Sequence, residues 1–283
     1  SSAKVKRVSP QAPGAFASSP KPALYSPPRP RHNGGLFLVI LNKVKADNED
    51  VSAENAELAT LDALGRVRWA ADRFGDGLVV STSFGLQSAV MLHLVSSLSK
   101  EIPIIFVDTG YLFPETYEYA ERLRERLEIE PLVYSSPLTP AYQEARYGKL
   151  WEQGAEGMAR YNYLNKREPM DRALRELNAT AWLAGLRRSQ GSSRSERPFI
   201  ERQNGLCKIY PILDWDDKTT YRYLPANDLP YHPLEGMGYD SLGDVHSTRK
   251  LEPGMPPEDT RHGGHARECG LHVDLPAGHD FSV

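Results

Sequence analysis

From residue 52 to residue 213 the chain alternates amphipathic stretches with short apolar runs, and that alternation leaves few folds open to it. Residues 53–74 carry Leu58, Leu61, Leu64, Val67 and Trp69 near helical spacing, which predicts an amphipathic helix. Leu78, Val79 and Val80 predict a short buried strand, residues 81–85 a turn, and residues 86–97 a second helix. Residues 102–107 predict strand two, 115–127 a helix, 131–134 strand three, 179–186 strand four and 209–213 strand five. Strands alternating with helices build a parallel sheet covered on both faces. Ligands of such α/β sheets sit beyond the carboxyl ends of the strands. The chain's hydroxyl-rich, acidic and arginine-rich turns fall at those ends.

The two termini lack this pattern. Residues 1–46 hold no Asp or Glu, and seven prolines fall between Pro10 and Pro30. A regular element is not expected there. The composition fits a disordered leader or an organelle transit segment, which would place the protein in the chloroplast or plastid stroma, and otherwise in the cytoplasm. Residues 47–240 are expected to form the α/β domain. Residues 241–283 are expected to form a C-terminal segment whose glycines, prolines and polar residues suit a mobile tail or lid. No apolar run approaches the roughly 20 residues that span a bilayer.

Of 34 Lys and Arg, eight precede Asp47, so 26 face all 37 Asp and Glu beyond that point. An acidic body disfavours nucleic-acid binding and requires a local cation cluster for any anionic ligand. Two cysteines, Cys207 and Cys269, are too few for a zinc ribbon or a Cys-ligated iron–sulfur cluster. They form no C-x-x-C pair and no secreted disulfide framework.

Four constellations carry chemistry. Residues 81–88 (Ser-Thr-Ser-Phe-Gly-Leu-Gln-Ser) join strand one to its helix; small hydroxyl residues and a glycine let backbone N–H groups approach an anion. The stretch is no Walker loop, and a plain helix cap is an equal reading. Asp108 in Val107-Asp108-Thr109-Gly110-Tyr111 can bind ribose hydroxyls or cap the next turn. Residues 185–194 place Arg187, Arg188 and Arg194 among hydroxyls after strand four, and guanidinium forks match phosphate and sulfate. Lys166 offers another cation. Last, the tail gathers Arg261, His262, His265, Arg267, Cys269 and His272. Cations lower a thiol's pKa, so Cys269 is a candidate nucleophile, whereas Cys207 beside Ile209 reads as a buried hydrophobe.

With these residues assembled, the sequence resembles the assimilatory sulfonucleotide reductases, which act on adenosine 5′-phosphosulfate (APS) or its 3′-phosphorylated form (PAPS). The likeness lies in Ser83-Phe84-Gly85, residues 107–116, 146–152 and 166–170, Gly185-Leu186-Arg187-Arg188, residues 211–215, Thr248-Arg249-Lys250 and Glu268-Cys269-Gly270-Leu271-His272. It implies an adenine-nucleotide α-hydrolase-like (PP-loop, Rossmann-like) α/β fold, usually as a homodimer. It implies that Cys269 attacks the activated sulfate, with His272 beside it, and that the resulting S-sulfonate is reduced to sulfite by thioredoxin or by glutaredoxin with glutathione. Ser81, Ser83, Phe84, Gly85, Ser88, Asp108, Thr109, Gly110, Lys166, Arg187, Arg188, Gln190, Arg194, Arg249 and Arg261 are the expected substrate contacts. Cluster-bearing members have cysteines where this chain has Tyr161-Asn162 and Asp244-Val245-His246-Ser247, so no iron–sulfur cluster or other metal is expected. The chain lacks the thioredoxin-like domain of plant members after Cys269, which implies an external reductant. Cluster-free members typically use PAPS, while a transit-like leader points to APS, so both nucleotides stay open. Competing readings are a PP-loop ATP pyrophosphatase-type ligase, whose Ser-Gly-Gly-x-Asp-Ser loop Phe84 and Gln87 break, and a nucleotide-binding module without turnover.

Overall fold

A computed structural model describes residues 51–191, 194–203 and 205–261. All of them fall within the compact unit Asp47–Val283. The expected first helix is two, α1 (Ser52–Thr60) and α2 (Ala63–Phe74). Asp62 interrupts it: its backbone is extended and its carboxylate accepts from the Gly65 amide at 2.6 Å, which caps α2. Then follow β1 (Leu78–Thr82), α3 (Ser88–Leu98), β2 (Ile104–Val107), α4 (Pro114–Leu127) and β3 (Leu132–Tyr134). Three helices, α5 (Pro140–Tyr147), α6 (Gly154–Asn162) and α7 (Glu168–Glu176), lead to β4 (Ala181–Leu183). A π-helical turn, Tyr163–Arg167, joins α6 to α7. A hairpin of β5 (Ile200–Gln203) and β6 (Leu206–Ile209) precedes α8 (Asp217–Ala226).

The sheet runs β3-β2-β1-β4-β6-β5. Its first five strands are parallel, with Val80 opposite Ile104 and Leu78 opposite Ala181. β5 is antiparallel to β6. The chain lays β2 and β3 on one side of β1 and then crosses to lay β4 on the other. That reversal opens a crevice at the carboxyl ends of β1 and β4. β2 and β4 are buried along their whole length, as both-faces-covered parallel strands should be.

Strand five differs from expectation. Ile209 ends β6, and residues 210–213 turn away, the Leu213 amide bonding the Tyr210 carbonyl. β5 went unread because Ile-Glu-Arg-Gln has a single apolar residue. It pairs with β6 and is capped from α1: the Asn55 amide donates to the Ile200 carbonyl at 2.9 Å and accepts from the Ile200 amide at 3.0 Å. That side chain satisfies an edge strand that would otherwise be open.

One buried cation ties the helices to the sheet. Arg66, 2% exposed, donates to the carbonyls of Leu58 and Pro211, forks onto Asp214 at 2.7 and 2.8 Å, and lies 3.9 Å from the Phe199 ring centre. Arg66→Met orphans two carbonyls and is expected to cost about 3 kcal/mol. A urea titration checks this: the midpoint should fall at an unchanged slope.

Candidate functional site

The crevice is a cavity of about 850 Å³ walled by the β1–α3 loop, the end of β2, the turn after β4, the start of α8 and residues 239–244. The β1–α3 loop is built for an anion. Gln87 precedes α3 without a side-chain cap, and no acidic residue occupies the helix's first turn. The Ser88 amide bonds the Gly85 carbonyl at 3.0 Å and the Val90 amide the Gln87 carbonyl at 3.2 Å, so the turn is held by backbone alone and no side-chain oxygen competes for an anion there. Ser81, Thr82, Ser83, Gly85 and Ser88 line the cavity beside it. Phe84 does not. It is 1% exposed, packs edge-on against Phe106 at 4.9 Å, and adopts φ 48°. A non-glycine residue in that region is strained, and the buried ring holds the loop there.

The cations come from three places. Arg187 follows β4, is 3% exposed, pairs with Asp217 at 2.8 Å and bonds the Gln87 side chain. The Gln190 amide oxygen accepts from the Arg187 backbone at 3.1 Å and from Arg194 at 2.6 Å, so both arginines are indexed by one turn. Lys166 enters from the π-helical turn and Arg261 from the C-terminal side, both buried and both on the wall. Lys218 and Arg222, which the sequence reading missed, reach the cavity from α8. Their spacing of four residues after the Asp216 cap puts them on one helix face, a signal that helical spacing alone carries.

Four expected contacts lie elsewhere. Asp108 is absent from the wall: one oxygen of its carboxylate accepts from the Gly110 amide at 2.8 Å and the Tyr117 hydroxyl at 2.7 Å, so it caps the turn. Gly110 shapes that turn with φ 72°, where a Cβ would strike Pro140. Arg188 donates to the Arg197 carbonyl and lies over Phe199, away from the cavity. Arg249 bonds the Asp259 carbonyl and clasps the 248–261 loop. Thr109, by contrast, lines the cavity and donates to Asp244 at 2.5 Å. Cys269 and His272 lie outside the described residues, as do residues 1–46. Cys207 is buried in β6.

Tyr161, Asp244 and His246, where the resemblance directs the search for cluster cysteines, belong to a compact polar and aromatic group. His246 stacks on Trp151 at 3.9 Å with 6° between the rings, and the edges of Tyr111 and Tyr161 close around it. Burial lowers the His246 pKa to about 4, against the pull of Asp244, so the ring is neutral at pH 7. Asp244, 1% exposed, pairs with Lys166 at 2.8 Å. Burial pushes its carboxyl up, but Lys166 and the Thr109 hydroxyl outweigh burial and hold it well below the usual carboxylate range. Among the described residues no group of three or more His, Cys, Asp or Glu could hold a metal ion.

An α/β sheet with a hydroxyl-lined helix N-terminus and converging cations at its switch point defines an anionic-nucleotide domain of the adenine-nucleotide α-hydrolase-like class. Residues 77–250 match the phosphoadenosine phosphosulfate reductase domain. The chain is 56% identical over 239 residues to phosphoadenosine 5′-phosphosulfate reductases of Escherichia coli O157:H7 and of Escherichia coli K12 strain DH10B, covering 84% of this chain and 98% of each relative. The crystal structure of phosphoadenylyl-sulfate reductase from Candida auris, a phosphate complex, superposes with a TM-score of 0.64 at 32% identity, covering 72% of this chain and 98% of that one. The chain belongs to the phosphoadenosine phosphosulfate reductase family: it is an oxidoreductase of sulfonucleotide reduction in sulfate assimilation. That membership sets it among the reductases.

Proposed function

We propose that the chain reduces PAPS in preference to APS, with Cys269 as nucleophile and thioredoxin or glutaredoxin as electron donor. The observation that carries the reading is that Lys166, Arg187, Arg194 and Arg261 line one cavity together with the start of α3, whose first turn has no side-chain cap. The Cys269 thiolate attacks the sulfuryl sulfur. The bond from that sulfur to the bridging phosphate oxygen breaks, and its electron pair leaves with adenosine 3′,5′-bisphosphate. Cys269 then carries a sulfonate. A thiolate of the reduced dithiol attacks the Cys269 sulfur, and sulfite departs with the S–S electron pair. The second thiol resolves the mixed disulfide, so the donor ends as a disulfide and Cys269 as a thiol. Thiolate and substrate are both anionic, and the cavity cations offset their repulsion.

Lys218 and Arg222 support PAPS, because they add positive charge at the α8 wall for a further phosphate. kcat/KM for PAPS is expected to exceed that for APS by about a hundredfold, the equivalent of two charge-assisted hydrogen bonds. Sulfite release measured for both nucleotides at one thioredoxin concentration decides this. Equal efficiencies, or a preference for APS, would sink the PAPS reading. The family resemblance supports a homodimer, and the acid-free composition of residues 1–46 supports a plastid address.

A further inference from the structure

The geometry points to Asp244 as the positioning residue for Lys166: it holds the ammonium at the cavity wall and keeps it charged there. Lys166 is 4% exposed and sits on the π-helical turn Tyr163–Arg167. Such a turn shifts a side chain out of the helical register. It is locked by Asn165, whose amide exchanges hydrogen bonds with Gln143 at 2.7 and 2.9 Å. The Lys166 ammonium meets Asp244 at 2.8 Å.

Asp244 is itself fixed from three directions. Thr109 donates to its other oxygen at 2.5 Å, Leu112 forms an antiparallel bridge with it, and the next amide, of Val245, bonds the Tyr111 carbonyl at 2.8 Å. Thr109, Tyr111 and Leu112 all belong to the loop after β2. The carboxylate is therefore tied to the cavity wall, not to a surface. Two residues earlier, the Leu242 carbonyl accepts from Arg261 at 2.8 Å, and the Arg261 guanidinium lies so close over Gly243 that a Cβ there would strike it. One short strap, residues 242–245, thus sets the places of two cavity cations.

The chemistry requires this hold. The departing phosphate oxygen gains negative charge as the sulfur–oxygen bond breaks, and a charged ammonium stabilises that charge far better than a neutral amine. A buried ammonium with no counter-charge gives up its proton more readily than an exposed one. Asp244 opposes that loss with its two oxygens turned to Thr109 and Lys166. The other ionisable groups around the pair are Tyr111, Tyr117, Tyr161, Glu144, His246 and Arg261. Burial raises the three phenols above their usual range and lowers His246 to about 4, so none of these four titrates between pH 6 and 9.

The inference rests on sulfonucleotide reduction in this cavity, and the test separates the two. Sulfite formation from PAPS with saturating reduced thioredoxin is followed from pH 6 to 9 for the wild-type chain and for Asp244→Asn. The variant's kcat is expected to fall on the order of a hundredfold, with KM little changed, as for a misplaced catalytic group. Its activity is also expected to decline at lower pH than the wild type's, by about one unit or more. A decline at the wild-type pH overturns the proposal, whatever the activity. Should Asn not be accommodated, Asp244→Ser removes the same charge and leaves room for a water, and it is read by the same profile. If neither variant folds, the carboxylate serves the fold and the proposal is overturned as well. A wild-type chain that forms no sulfite overturns the functional reading, whereas wild-type turnover with an unmoved profile overturns this inference alone.

Discussion

Cys269→Ser is expected to lower sulfite formation by about 10⁴-fold or more, the scale on which enzymes lose rate with their nucleophile. The reason is stoichiometric as well as kinetic. A serine hydroxyl is not ionised near neutral pH, and attack through oxygen would leave an O-sulfate. A dithiol cannot expel sulfite from an O-sulfate, because no sulfur–sulfur bond is present to cleave. Sulfur-labelled PAPS should therefore leave label on the wild-type chain, discharged as sulfite by thioredoxin, and no dischargeable label on the variant. Affinity for adenosine 3′,5′-bisphosphate should be unchanged, since the cavity wall is intact. Cys207→Ser is the control. Its thiol is buried in β6 and opposite Ala181, so it should alter stability and leave the labelling alone. Normal sulfite release by Cys269→Ser would end the S-sulfonate mechanism.

Lys166→Met should be nearly as severe, and it should damage two properties at once. Catalysis loses a buried cation at the reacting phosphosulfate, for a fall of about 10³-fold in kcat/KM. Stability falls because Asp244 stays behind, uncompensated and 1% exposed; breaking a buried pair from one side costs about 3–5 kcal/mol. The pH dependence has a definite sign. In the wild type the Asp244 pKa lies below its unfolded value, so the pair's contribution is complete above roughly pH 4 and is lost only as pH falls toward the folded value. In the variant the Thr109 hydrogen bond remains but the Lys166 charge is gone, so burial, the largest influence, is expected to raise the Asp244 pKa above the unfolded value. The stability gap between the two proteins should thus narrow as pH drops from 8 to 5. Urea titrations at those two pH values measure it, and a constant gap would show that Asp244 is not the group left stranded.

Much of the architecture was readable because parallel strands buried on both faces need continuous apolar residues. Leu78-Val79-Val80 and residues 104–107 satisfy that need and nothing else does so locally. β5 escaped because an edge strand takes its order from partners, here β6 and the Asn55 amide, and not from its own hydrophobicity. The site divides in the same way. Residues at strand ends could be nominated from position, and Ser81, Thr109 and Arg187 do face the cavity. Position could not tell Arg187 from Arg188, because consecutive residues point to different surroundings: one faces the nucleotide crevice, the other the Arg197 carbonyl. Asp108 likewise had two local readings, and the hydrogen bond from Tyr117, one helical turn into α4, shows the cap. Asp244 was least legible. Its worth depends on Lys166 and Thr109, which are distant in sequence, and no local pattern encodes that meeting.

Arg261 has a consequence for the encounter between thiol and sulfate. It is bridged to Thr248 and bonded to Leu242, so the backbone is moored at the rim of the crevice. Cys269 follows eight residues later. At about 3.4 Å per residue, eight residues span at most roughly 27 Å when fully stretched. The sulfur is therefore leashed to a sphere of that radius around the mooring, whatever path the intervening chain takes. One thiol so tethered is present at an effective concentration on the order of millimolar. On the proposed mechanism, that tether would turn a meeting of two anions from a search through solution into a search through a small volume.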